Sequence, residues 1–255
     1  MAAQPPPSAS SHYATSALVA QQAAAAALKV RPQGAAAVAG LVNTYQATQA
    51  LLSERAVAQM LVEQEIAVEA EAILNSLAFT TDVQSFTAMA EQTDTDAEFE
   101  RLVASLVQDA GRAAESVSVA VREDVHHVRF VSLPCCSRCA LLAGRVYRYS
   151  DGFLRHPNCD CFMIPTTVAS PLRQSPEDLA ATGQVRGLSK ADTAALAAGA
   201  DMGRVVNVRA KSAGLKEAGR VLARAGRPTP EGIYRLAGTD RDEAVALLAQ
   251  FGYIR

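Results

Sequence analysis

The residues best suited to chemistry lie close together. The chain has five cysteines, and all fall in one short window: Cys135-Cys136-Ser137-Arg138-Cys139, then a loop, then His156-Pro157-Asn158-Cys159-Asp160-Cys161. Cys136-x-x-Cys139 is a spacing at which two thiolates can grip one tetrahedral ion from a tight turn. His156-x-x-Cys159 and His156-x-x-x-x-Cys161 each offer a second grip, and the gap between the pairs is that of small zinc ribbons and knuckles. Mixed sulfur and nitrogen ligation suits Zn2+, whereas soft thiolates discourage magnesium and calcium. An odd number of clustered cysteines beside a histidine reads as metal ligation in a reducing compartment, not as a disulfide framework.

With Cys135 set aside as a spare thiol, the candidate ligands are Cys136, Cys139, His156, Cys159 and Cys161, one more than structural zinc needs. Cys136, Cys139 and His156 come first. Spacing does not decide between Cys159 and Cys161: in an extended segment both side chains point the same way. The longer step from His156 to Cys161 leaves more room for the turn at Pro157, which favours Cys161. So many strong ligands argue for a closed structural site, since a catalytic zinc keeps one position open for water. The competing account is that these are buried cysteines packing as small hydrophobes. A redox Cys-x-x-Cys would sit in a βαβ unit, and nothing here alternates that way. Arg138, Arg145, Arg148 and Arg155 crowd the same window. They suit contact with phosphate or an acidic partner surface, and a solvated basic face explains them equally well. His126-His127 is read as surface or packing. No phosphate-binding glycine loop, His-Glu-x-x-His or Gly-x-Ser-x-Gly motif occurs, and no acid/base or nucleophile constellation supports an enzyme.

The elements around this window read as mainly α. Apolar residues make up 49% of the chain but aromatics only 5%, with no Trp. Much of the apolar content is alanine, so slender helix contacts are expected in place of a thick core. Residues 1–10 are Pro/Ser-rich and expected to be disordered. Residues 11–125 form a helical region. A first helix runs from Ser11 to about Val30, punctuated by Pro32 and Gly34. A second runs over roughly 35–77, with Leu52, Ala56, Met60, Ala67, Ala70, Leu74 and Leu77 on one face. A third opens with the capping box Thr95-x-x-Glu98 and carries Phe99, Leu102, Val103, Leu106, Val107 and Ala110 as a stripe. Residues 126–167 turn β-like at Val128, Phe130 and Val131 and again at Val146, Tyr147 and Tyr149. This small α+β knuckle holds too little apolar area to fold unaided, so zinc would supply the missing stability. Val146, Tyr147, Tyr149, Phe153 and Phe162 are its candidate mini-core. Residues 168–255 read as a tail of short helices, opening at Ser175-Pro176, Ser189-x-x-Asp192, Thr229-Pro230 and Thr239-x-x-Asp242.

The formal net charge of -2 argues against a dedicated nucleic-acid binder. Residues 1–8 show no basic region leading into an apolar core, so no secretory signal is expected. The alanine run at 16–30 is too weakly apolar to span a bilayer.

With these residues in view, the chain resembles the Mu F-like minor head proteins of tailed phages, also called phage head morphogenesis proteins. The resemblance is carried by Cys136 and Cys139, then Leu142-Ala143-Gly144-Arg145, then His156-Pro157-Asn158-Cys159-Asp160-Cys161. Gly183–Asp192, Gly199-Ala200-Asp201, Val205-Val206-Asn207, Ile233-Tyr234-Arg235 and Gly252-Tyr253-Ile254 look like versions from phages of actinobacteria. Asp160 departs from the pattern, standing where many relatives carry arginine. The resemblance implies a non-enzymatic, few-copy virion protein in the head interior near the portal vertex, present in the host cytoplasm during assembly. Its expected partners are the portal protein and the major capsid or scaffolding protein, with packaged double-stranded DNA a further candidate. No membrane and no small-molecule substrate are expected.

Overall fold

The computed structural model describes residues 4–148, 161–207 and 230–251. Among them the chain is mainly helical, with a small sheet at one end of a helical bundle. Helices α1 (Pro7–Val30), α2 (Ala35–Glu63) and α4 (Asp96–Ala120) pack side by side, and the short α3 (Val83–Ala90) closes one end. Alanines Ala20, Ala23 and Ala27 of α1 lie against Val38 and Val42 of α2 and Val103 and Val107 of α4. Such small side chains let the helix axes approach closely, which is how an aromatic-poor sequence still builds a dry core. The bulk comes from Phe86 and Phe99, both fully buried and set edge to face at 6.4 Å.

The expected boundaries shift in places. Residues 7–10, expected in the disordered tail, are the first turn of α1: Pro7 occupies its N-terminus, and the Ser8 N–H and Oγ–H donate to Glu63 at 3.1 and 2.7 Å. Helix α2 ends at Glu63, well short of Leu77. Glu65 adopts φ 58° and the Ile66 N–H reaches back to the Leu61 carbonyl at 2.9 Å. That is a Schellman turn with its usual hydrophobic contact, Ile66 against Leu61. Glutamate in place of glycine at the left-handed position hides the stop from sequence reading. The capping box at Thr95 forms as expected, and the backbone N–H groups of Asp94 and Thr95 hold the Glu98 carboxylate below its ordinary range. Gly111 lies inside α4, where a Cβ would stand 2.8 Å from Gln49 Cγ. It permits the close α2–α4 crossing.

Strand β1 (His126–Val131) is the middle of a three-stranded antiparallel sheet, between β3 (Val146–Tyr147) and β4 (Cys161–Thr166). Val128 and Phe130 of β1 and Ile164 of β4 face the bundle, meeting Ala9, Ala56 and Met60. The two-residue β2 (Cys135–Cys136) pairs in parallel with β5 (Val185–Arg186). Helix α5 (Ser137–Leu142) lies between β2 and β3 in the chain, and α6 (Pro176–Ala181), α7 (Lys190–Ala197) and α8 (Met202–Asn207) come after β4. Ser175 and Ser189 cap α6 and α7 as expected. Helices α9 (Pro230–Ala237) and α10 (Arg241–Gln250) complete the described part. The α10 cap is Asp240, one residue past the expected Thr239, because its carboxylate accepts from both Asp242 and Glu243 N–H. This C-terminal region has a small core of its own, Ala195, Ala200, Val205 and Ile233. Burial and the Asp192 charge push the Tyr234 hydroxyl above its ordinary range.

Polar contacts tie the bundle to the sheet: the Gln64 side chain at the end of α2 donates to the Pro165 carbonyl at 2.7 Å, and Tyr13 makes a second link. Tyr13 stacks on Phe162 at 4.6 Å. Its hydroxyl accepts from the Met163 N–H at 2.8 Å and lies 3.0 Å from both the Met163 carbonyl and Glu115 Oε2. Glu115, 2% exposed, also meets His12 Nε2 at 2.7 Å. Tyr13→Phe should therefore leave buried polar groups unsatisfied and lower stability by about 2 kcal/mol, read as a shift in the urea midpoint. An unchanged midpoint would mean that this contact contributes nothing net.

Candidate metal centre

The cysteine window starts where β1 ends. Cys136 is the N-cap of α5, and its Sγ accepts the Cys139 N–H at 3.4 Å. One turn of helix thus brings the Cys139 backbone back to the Cys136 sulfur. Cys161 is the first residue of β4 and lies opposite Val131 in the sheet register. Cys135, Cys139 and Cys161 are 5%, 3% and 1% exposed and share one apolar cluster with Val131, Leu179, Val185 and Met202, against which the half-buried Cys136 packs. Cys135, expected as a spare thiol, is thus more buried than the first-choice Cys136 and comparable to Cys139.

His156, Cys159 and Arg155 lie outside the described residues, as do Tyr149 and Phe153 of the expected mini-core. Among the described residues, no three candidate ligands close on one point. The described cysteines nevertheless lie near one another in one apolar cluster. Cys136 and Cys161 each have an N–H donor directed at sulfur, from the Cys139 backbone and from Arg129 Nη1 at 4.0 Å. Cys136, Cys139 and Cys161 are the described residues that could supply thiolates to a metal; the other candidates, His156 and Cys159, lie outside the described residues.

The expected mini-core is divided differently from the sequence reading. Val146 and Phe162 pack toward the bundle, because the sheet covers the bundle's end with that face. Tyr147 turns to the other face and stacks on the buried His127 at 5.5 Å. The arginines do not form one patch among the described residues. Arg138 helps line a small pocket of about 180 Å³ with Ser137, Asp192 and Val205. Arg145 lines a separate open concavity of about 710 Å³ with Tyr147 and Arg173. Arg148, just past β3, is exposed.

Two residues that sequence reading passed over hold this region together. Gln174 donates to the Val131 carbonyl at 3.0 Å and accepts the Val131 N–H at 2.6 Å, pinning the loop before α6 to β1. Arg129 projects from β1 onto the cysteine face. The alternation Val128, Arg129, Phe130, Val131 carried that signal, because a strand that buries Val128 and Phe130 on one face puts Arg129 beside Val131 on the other. Gly144, in the Leu-Ala-Gly-Arg segment, sits at φ +68°, and its N–H donates to the Arg129 carbonyl at 2.8 Å. A Cβ there would fall 2.2 Å from the Gln174 carbonyl oxygen.

The chain matches no family model, no curated protein and no solved structure.

Gly144→Ala should cost about 3 kcal/mol, from left-handed strain together with a backbone clash. Gly183 has a similar φ of +70° and nothing within 4 Å of its would-be Cβ, so Gly183→Ala should cost only about 1 kcal/mol. Urea denaturation of both variants checks the difference; equal losses would mean that the Gly144–Gln174 approach is not a constraint.

Proposed function

We propose that the chain is a structural protein of the phage virion, a minor capsid protein of the head morphogenesis type. In this reading it acts in the head interior at the portal vertex and is assembled there from the host cytoplasm. Its partners are the portal protein and the major capsid or scaffolding protein. It is not an enzyme. It carries one structural Zn2+, held by Cys136, Cys139 and His156, with Cys161 or Cys159 in the fourth position.

One observation carries the reading. Among the described residues, three of the segments that carry the resemblance lie around one joint: Cys136 capping α5 with Cys139 inside it, Gly144 against Gln174 and Arg129, and Cys161 at the start of β4. A motif spent on a joint between a helical bundle and a compact C-terminal region suits a protein whose task is to hold parts in fixed relation. Zinc would bind there to groups already oriented by α5 and β4, and would add stability where the apolar cluster is alanine- and cysteine-rich.

The test joins two measurements. Freshly prepared, reduced protein should contain one zinc per chain, and co-expression with the portal protein of the same phage should yield a complex. Chelation should raise hydrogen exchange in α5, β4 and α6–α8 while α2 and α4 stay protected. Protein without stoichiometric zinc, or a portal protein that fails to co-purify with the chain, would refute the corresponding half of the proposal.

A second reading, a zinc-knuckle module acting on packaged DNA, is favoured by one observation. Arg145 and Arg173 are exposed, line the same concavity, and form no ion pair among the described residues. On this reading duplex binding weakens steeply with salt, and replacing both arginines by alanine lowers the log–log salt slope by about 2. Binding that ignores salt, or is undetectable at low salt, would exclude it.

A further inference from the structure

We propose that the strap between α2 and α3, residues 64–82, is a docking surface for a partner protein. Its occupant is a basic amphipathic segment, one that presents Lys or Arg beside aliphatic side chains. The proposal goes beyond the capsid reading and does not depend on the zinc.

The strap is fixed on the bundle. After the turn at Glu65 it is held at three points. The Glu71 N–H donates to the Val121 carbonyl at the end of α4 at 2.8 Å. The Leu74 N–H donates to Glu54 Oε1 on α2 at 3.3 Å. Further on, the Gln46 side chain of α2 accepts the Thr81 N–H at 2.9 Å and donates to the Thr81 hydroxyl oxygen at 2.9 Å. The single helical turn of the strap, Ser76–Phe79, packs on both α2 and α4. Ile66 and Val68 turn inward, onto Val57, Leu61, Val119 and Val125.

With its backbone set in this way, the strap still carries large aliphatic side chains on its outer side. Ile73 is 92% exposed and Leu77 68%. Val62 just before the strap and Val83 just after it are exposed as well. A lone exposed aliphatic residue is ordinary. Four so close together along one pinned segment make an apolar surface of the kind that marks an interaction site.

Charge selects the occupant. From Ala56 to Glu100 the chain carries ten Asp and Glu and no Lys, Arg or His. At the start of α4, Asp96 and Glu98 meet Arg31 and Arg101. On the strap, Glu65, Glu69 and Glu71 are exposed, and none forms an ion pair among the described residues. Arg122, next to the Val121 anchor, is turned inward: it is 7% exposed, and its Nη1 donates to the Ser118 hydroxyl at 2.7 Å. The strap therefore combines carboxylates that lack a cation with aliphatic groups that lack a cover. An acidic ligand is repelled there and a purely polar one leaves Ile73 and Leu77 wet. A basic amphipathic segment meets both demands, its cations steering the encounter and its aliphatic face holding the complex.

The test uses the full chain and a fluorescein-labelled amphipathic peptide of lysine and leucine, read by fluorescence anisotropy. The same peptide with glutamate in place of lysine should not bind. Ile73→Ser with Leu77→Ser should weaken binding roughly 10-fold at any salt. Glu69→Gln with Glu71→Gln should weaken it several-fold at low salt and little at high salt. Glu177→Gln, at an exposed position on α6, should leave it unchanged. The strap positions are exposed, so far-UV circular dichroism should stay that of the parent. Should the serine pair disturb the fold, Ile73→Lys alone decides, since it adds a cation to the surface and should weaken binding as much. Parental affinity in the folded strap variants, an equal loss in Glu177→Gln, or binding of the glutamate peptide overturns the proposal. So does a dimer of the chain alone, seen by sedimentation, that Ile73→Ser with Leu77→Ser dissociates, because the occupant is then a second copy.

Discussion

Strand β1 has almost no solvent face, and the structure on both sides depends on that. Antiparallel sheets commonly keep one face wet, but Val128, Phe130 and Val131 are 0%, 4% and 2% exposed, and His127 and Arg129 between them are buried as well. One face is pressed on the alanine-rich bundle and the other on the cysteine cluster. The strand therefore cannot slip by a residue without driving Arg129 into the bundle and Val128 into the cysteines. The β4 register, the aim of Cys161 and the seat of Gly144 all follow from that single alignment.

The cysteines are consequently not isolated in a peripheral loop. Their cluster draws Leu179, Ala180, Val185 and Met202 from the C-terminal region, and β2 reaches β5 through the bond from Cys135 N–H to the Gln184 carbonyl at 3.3 Å. A hydrophobic core shared by segments so far apart in sequence gives the joint some cohesion before any ion is considered.

Much of the architecture was legible in the residues, and the reasons are local. Thr95, Ser175 and Ser189 announce helix starts because a short polar side chain satisfies a free N–H at a fixed offset. The apolar stripe from Phe99 to Ala110 and the β-like run at Val128 and Val131 report burial by period. What stayed hidden was set by tertiary contacts. The stop at Glu63 uses a left-handed glutamate, and the turn is held by Ile66 packing on Leu61. Helix α3 is a short run around one buried phenylalanine, Phe86. The β2–β5 pairing is two residues long, too brief to leave a pattern. At the candidate site, cysteine spacing was readable, whereas the parts played by Arg129 and Gln174 appear only once the register is known, since nothing in a lone arginine or glutamine distinguishes an inward from an outward side chain.

The hydroxyl of Tyr13 has one further consequence. β4 has β1 on one side, and on the other Met163 turns both of its backbone hydrogen-bonding groups to that hydroxyl. Bare groups in that position are a template on which another chain can add a strand, the first step toward filaments or swapped dimers. Here a phenol on a neighbouring helix occupies them. One route to self-association is thereby closed by a single aromatic residue in a chain that has few.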